Sequence, residues 1–329
     1  MFSAPLDPSH PYFSLPSQYQ RDLVWSVLGP ALLDCDWSPV RPAFLQHGPT
    51  LPWQHWLDAQ QPPQQFRSPR LGLMFEQLWH QYFELGGMQW LANVQIQDEK
   101  RTLGELDLLV RPEAGHDACH LELALKFYLG IGGDWIGPNR RDYLADKIRH
   151  TRDKQLPLAN HLISQQTLQQ HGWSLPLKSS SQSQPQPQSQ PQSQPQPQPQ
   201  LQPQPQLQPQ SQALMRGCLF HPADPAINAT LPEEVNPQHW SGKWIHQHQS
   251  TQLLPDSRWF LLSKPQWISP ACVGFSVDKA ALLRHCQAHF QHLDTALCAV
   301  EVQQNDQGRW CEQHRWLIMP DHWPRPAER

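Results

Sequence analysis

GELDLLV (104–110) and HLELALKFYL (120–129) carry the pattern from which the fold is read. In the second stretch, Leu121, Leu123, Leu125 and Phe127 fall on one side of an extended chain. His120, Glu122, Ala124, Lys126 and Tyr128 fall on the other, which is the period of a strand. A strand with so apolar a face belongs in a core, and its second face ordinarily holds alanine, valine or threonine. Here that face holds Glu122 and Lys126, roughly 13 Å apart along the strand. In the first stretch Glu105 and Asp107 share a face, and Leu106 and Leu108 share the other. An antiparallel hairpin that turns both leucine rows toward one core brings Asp107 and Glu122 together on the opposite surface. Two carboxylates that close raise each other's pKa unless a cation lies between them. Oxygen ligands of this kind suit Mg²⁺ (or Mn²⁺), which activates water and neutralises charge on a phosphate. A lysine nearby stabilises the transition-state charge. The competing reading of Glu122 and Lys126 is a same-face salt bridge on a solvated sheet.

Upstream, Leu71, Met74, Phe75, Leu78, Tyr82 and Leu85 recur at the spacing of an amphipathic helix that Gly86 and Gly87 end. Glu76 sits on the flank of that stripe, where it can join the acids or remain an exposed helical glutamate. LANVQIQ (91–97) alternates Ala92, Val94 and Ile96 against Asn93, Gln95 and Gln97, as a strand does. Downstream, a loop with Gly130, Gly132, Gly133, Gly137 and Pro138 offers Asn139 and Arg140 as substrate contacts. A helix over about 142–156 follows, with Tyr143, Ile148 and Leu156 inward and basic residues around it, among them Lys147, a further substrate-contact candidate.

SQYQRDLVWSVLGPALL (17–33) has helical apolar spacing closed by Gly29 and Pro30. Residues 36–66 are proline-punctuated, a loop with one short helix at 53–59. From 179 to 212, glutamine holds every even position from 182 on, alternating mainly with proline and serine. Such a tract has too few apolar side chains (Leu201 and Leu207) to offset its ordering entropy and reads as a disordered linker. Strands are expected at 213–222, 258–264, 296–304 and 309–320, and a helix at 278–293. His285, His289 and His292 on that helix lack a carboxylate-rich partner motif and read as surface residues. The expected parts are an N-terminal helical extension (1–66), a core (67–178), the Gln/Pro insertion (179–212) and an α+β part packing on the core (213–329).

A net charge of −4 argues against a tight, non-specific coat on nucleic acid. The hydrophobic fraction of 38% is lowered by the tract, and 15 tryptophans leave ample material for a core. Seven cysteines form no CxxC pair, so reduced, mostly buried thiols are expected rather than a disulfide framework or zinc ribbon. The N-terminus has no basic-then-apolar signal pattern, and nowhere do about 18 apolar residues run together. A soluble, cytoplasmic chain is expected.

Helix with a glutamate, strand, strand with GELD, strand with an acid and a lysine, then helix: over about 67–156 this order resembles the core of the PD-(D/E)XK nuclease superfamily. Taken with QRDLVWSVLGPALL, RLGLMFEQLWHQYF and the WIGPN loop, nearly the whole chain outside the tract is similar to the bacterial DUF1853 family. The superfamily resemblance implies an α/β (α+β) fold: helix, three-stranded antiparallel meander, helix, further strand. It also implies a metal-dependent nuclease acting on DNA or RNA. Asp107 then matches the motif aspartate, Glu122 the second acid, and Glu76 the glutamate of the first core helix. The E-x-K spacing would put the lysine at position 124, which is Ala124. Lys126 lies two residues on, on the same face. The alternative is the same fold kept as a nucleic-acid- or protein-binding module without catalysis, which the acidic balance and the displaced lysine favour.

Overall fold

The structure is a computed structural model that describes residues 5–42, 45, 66–99, 101–111, 118–175 and 211–325. The short helix expected at 53–59 and the glutamine tract through residue 210 lie outside the described residues. No helix among the described residues is long and apolar enough to cross a membrane.

Helix α1 (Gln18–Leu28) starts from a capping box. Ser17 Oγ accepts from the Gln20 N–H, and the Gln20 side chain accepts from the Ser17 N–H. It stops at Gly29, where the Gly29–Pro30 pair is expected to close it, because Pro30 has no N–H to continue it. The buried Leu32 and Leu33 lie instead in an extended segment, where the Leu32 N–H donates to the Met215 carbonyl. Helix α2 (Leu71–Leu85) buries Met74, Phe75, Leu78, Trp79, Tyr82 and Phe83 and packs against α1 and the sheet.

Strands β1 (Gln89–Asp98) and β2 (Arg101–Arg111) pair antiparallel, but the alternation expected along them is interrupted. Asn93 lies opposite Asp107 with a φ of 56°, the left-handed conformation that asparagine tolerates. The ribbon changes face there. Trp90, Ala92 and Leu108 turn to the main core, whereas Val94, Ile96 and Leu106 join a separate apolar cluster with Ala159 and Leu168. Leu106 and Leu108, expected on one face, are thus divided between two.

Strand β3 (Cys119–Ile131) is buried along nearly its whole length. It meets β2 antiparallel only from Leu108–Leu121 to Val110–Cys119, then runs parallel to β5 (Ser211–Pro222) from His120–Ser211 to Leu129–Phe220. Gly217 faces Lys126 across that ladder at φ 136°, where a Cβ would stand 1.7 Å from the Lys126 carbonyl oxygen. Only glycine fits. The expected β5 begins two residues early, inside the end of the glutamine repeat.

The short β4 (Asp134–Ile136) folds back on β3. Beyond β5, β6 (Ser241–His246) pairs parallel with β5 and with β11 (Trp310–Met319). Then β10 (Leu297–Gln304), β7 (Arg258–Leu262) and β9 (Val277–Asp278) complete the far side, and β8 (Cys272–Val273) pairs with β11. The part from Ser211 on therefore extends the same mixed sheet, of eleven strands among the described residues, through the β3–β5 ladder.

Leu121, Leu123, Leu125 and Phe127 face the main core beneath α1 and α2, as expected. On the opposite face, Ala124 and Tyr128 pack on Leu144 and Ile148 of helix α3 (Leu144–His150). This helix widens into one π turn (Thr151–Gln155) and ends in a short helix, Leu156–Leu158, before helix α4 (Leu162–Gln170). Tyr143, expected inward, is the exposed residue preceding α3, and Leu144 takes the buried position. Helix α5 (Lys279–His292) covers Ala299, Trp316 and Ile318 at the other end of the sheet through Leu282 and Cys286.

Candidate functional site

The β2–β3 ladder ends at Leu108–Leu121, and the next residue on each strand is an acid. Asp107 Oδ2 accepts the Leu123 N–H at 3.0 Å, so the side chain takes over where the strands part. Glu122, 2% exposed, stands beside it on the facing strand, close enough that the two carboxyl groups shift each other's titration. The two carboxyl groups expected to meet do meet.

Each oxygen of Glu122 has a further partner. Oε1 lies 3.0 Å from His120 Nε2, and Oε2 accepts from the Gln155 side-chain amide. Burial pushes the His120 imidazole down to about 4, so it is neutral; its Nε2–H donates to Glu122 and its Nδ1 accepts from the Ser211 hydroxyl. Gln155 reaches Glu122 from the π turn, and its Oε1 accepts from Lys147 Nζ and from Thr151 Oγ1, each at 2.8 Å. Lys147, Thr151 and Gln155 thus form one row aimed at the acids. The wider turn brings Gln155 into line, a use that π turns serve at functional sites.

Electrostatics follow from burial. Asp107 is pushed up to about 7, first by desolvation and then by Glu122. Glu122 is pushed up to about 7 by desolvation, against the pull of Asp107's hydrogen bond and of Lys147. The pair holds a proton near neutral pH and titrates as a unit. Glu76, half-buried on α2, is also raised, by burial and then by Asp107 and Glu105. Lys147 is lowered, by burial first and then by Lys126, and the acids draw it back toward charge.

Lys126 does not serve the acids directly. Its Nζ donates to Asp142 Oδ2 at 2.6 Å, while the Tyr128 hydroxyl donates to Asp142 Oδ1 at 3.1 Å. The lysine expected from β3 is held by a carboxylate of the loop before α3, and the lysine that faces Asp107 and Glu122 comes from α3 itself. The other two candidates also lie apart from the acids. Asn139 Oδ1 accepts the Arg141 N–H in a tight turn, and Arg140 forms an ion pair with Asp294 at 3.3 Å. Glu76, Asp107, Glu122 and Lys147 are together; Lys126 is adjacent but engaged elsewhere.

The chain matches a domain of unknown function, DUF1853, over residues 21–183 and 178–319. It belongs to the DUF1853 family. No curated protein and no solved structure matches it. In this DUF1853 chain Gln155, His120 and Asp142 also belong to the site, although the sequence pattern does not mark them as functional. Lys147, Thr151 and Gln155 recur at i, i+4 and i+8, a face legible as a helix pattern, but nothing in that spacing announces a π turn. Among the described residues no group of three or more His, Cys, Asp and Glu side chains is arranged to hold a metal ion.

Proposed function

We propose that this protein is a divalent-metal-dependent phosphodiester hydrolase acting on DNA or RNA, with Asp107 and Glu122 at its centre. One observation carries the reading: two neighbouring carboxyls, buried where β2 and β3 part and both raised to about 7, beside Lys147. A structural acid pair gains nothing from such a position, whereas a divalent cation substitutes readily for the proton the pair shares. Two carboxylates fit Mg²⁺ or Mn²⁺, which take few protein oxygens and keep several waters. Asp107 Oδ2, Glu122 Oε1 and Glu122 Oε2 each accept one hydrogen bond, from the Leu123 N–H, His120 and Gln155 respectively, so lone pairs are left for a cation.

When bound, the ion supplies an activated water and neutralises charge on the scissile phosphate. Asp107 and Glu122 hold it. Lys147 stabilises the charge that builds on the phosphate oxygens. Gln155 fixes both Glu122 and Lys147. Glu76, raised above the ordinary glutamate range by burial and then by Asp107 and Glu105, is placed to assist as acid or base. A second reading, a binding module of the same fold without catalysis, draws on the Lys126–Asp142 pair, which keeps the strand lysine from the acids.

Nicking of plasmid and single-stranded DNA and RNA with Mg²⁺ or Mn²⁺ tests the first reading. The wild type is expected to cut and Asp107→Ala to lose at least about 10²-fold. Equal activity in both, or none under any condition, overturns it. Thermal unfolding separates the two readings. A metal site gains about 2.7 kcal/mol at a cation concentration 100 times its Kd, and an inert scaffold gains nothing.

A further inference from the structure

Far from the acids, β8 lies against β11 with Cys272 directly opposite Cys311. The Glu312 N–H donates to the Ala271 carbonyl at 2.9 Å, so residues 271 and 312 are a hydrogen-bonded couple of this antiparallel ladder. Cys272 and Cys311, one step along, are then a non-hydrogen-bonded couple, the kind in which facing side chains come closest. Their sulfurs are 3.7 Å apart. A disulfide needs about 2.05 Å between the sulfurs, and Cα separations of about 4.4–6.8 Å accommodate one. A couple of this kind, at roughly 4.5 Å, falls within that window, so side-chain rotation closes the gap.

The surroundings favour a thiolate in this pair. The Cys272 carbonyl accepts from the guanidinium groups of both Arg21 and Arg309, each at 3.3 Å. Arg309 gives its other bonds to the Phe13 and Leu15 carbonyls, and Arg21 to the Leu15 carbonyl and the Gln18 side chain, all neutral acceptors. Glu312, the nearest acid on β11, is taken up by Arg315. As a thiol, Cys272 donates to the Phe13 carbonyl at 3.6 Å. As a thiolate, it accepts from the Cys311 S–H and lies in the field of the two guanidinium groups. The Cys311 hydrogen bond, and after it Arg309 and Arg21, draw Cys272 below the ordinary thiol range in spite of burial, and the same hydrogen bond raises Cys311. Burial instead pushes Cys119, Cys286 and Cys298 up to about 12 and raises Cys35 and Cys218. The half-exposed thiols, Cys35 and Cys119, are therefore the poor nucleophiles.

We propose that Cys272 and Cys311 are a redox-active dithiol that hydroperoxides oxidise to a reversible cross-strand disulfide. The Cys272 thiolate attacks one oxygen of the hydroperoxide, and the O–O bond breaks. Cys272 becomes a sulfenic acid, and the leaving alkoxide or hydroxide takes a proton to leave as alcohol or water. Cys311 then gives up its proton and attacks the Cys272 sulfur. The S–S bond forms, and the sulfenic oxygen leaves as water with that proton. Two thiols and one hydroperoxide give one disulfide, one alcohol (or water) and one water. An external thiol reverses it by exchange.

The full chain, reduced and then treated with a small excess of hydrogen peroxide, tests this by intact mass and peptide mapping. Expected are the loss of two hydrogens, a cross-linked pair of peptides holding Cys272 and Cys311, and full return with dithiothreitol. In Cys311→Ser the reaction stops one step earlier, and dimedone labels Cys272. Wild type that yields no 272–311 link, or that loses Cys35 or Cys119 thiol first, overturns the proposal without recourse to any variant. So does dimedone labelling of another cysteine in the folded Cys311→Ser chain.

Discussion

Glu122 and Glu312 are both buried glutamates on strands of one sheet, and they are handled in opposite ways. Glu312 is gripped by Arg315 through both oxygens at 2.8 Å. That guanidinium also donates to the Trp267 and Ser269 carbonyls and lies 4.2 Å from the Trp240 ring centre. Its charge has a dedicated, immobile counter-charge. Glu122 is surrounded by a neutral histidine, an amide and a second acid, with one lysine beyond the amide. One arrangement fastens β11 to the segment before β8. The other leaves a standing demand for positive charge, which a structure built only for stability would have removed.

Breaking the first arrangement has the largest expected effect. Arg315→Met strands a buried carboxylate and is expected to cost about 3–5 kcal/mol in urea unfolding. Adding Glu312→Gln recovers part of that loss, because the orphaned charge goes with it. A full loss in both proteins would mean that packing on Trp240, not charge, is what Arg315 supplies.

The second arrangement has a pH signature. Asp107 and Glu122 titrate higher in the folded chain than in the unfolded one, so the folded state keeps protons the unfolded state releases. In divalent-free buffer their contribution is whole below about pH 4 and is lost as the pH rises to about 7. Across that window the wild type is expected to lose roughly 2–4 kcal/mol relative to Asp107→Asn/Glu122→Gln. Asp22, also raised to about 7 by burial, is common to both proteins and cancels. Parallel pH curves for the two proteins would show that the acids are not raised.

The smallest effect separates the two lysines. Lys147→Met is expected to lower kcat/KM on a cleaved substrate about 10²-fold, and Lys126→Met less than about 10-fold. The reverse order would assign the phosphate to the strand lysine and make Asp142 its restraint.

The strict alternation of β3 was legible because one apolar face and a period of two leave a single register. With it came the meeting of Asp107 and Glu122. Two features were hidden because they depend on single residues that break a period. Asn93 flips the face of the β1–β2 ribbon, and the π turn brings Gln155 under Glu122. The partner of Lys126 was hidden for another reason: Asp142 arrives from a glycine-rich loop whose path no periodicity describes. The union of the two halves into one sheet was not legible either, since parallel pairing across a long insertion leaves no local trace.

That parallel pairing has a consequence for biosynthesis. His120 and Ser211, the first partners of the β3–β5 ladder, are 91 residues apart. During translation the leucine-faced β3 leaves the ribosome well before the strand that will satisfy its open hydrogen-bonding edge. At bacterial or eukaryotic elongation rates the wait is on the order of 5–20 s. Over that interval the nascent chain carries a long sticky edge with no native mate, a clear target for holding chaperones.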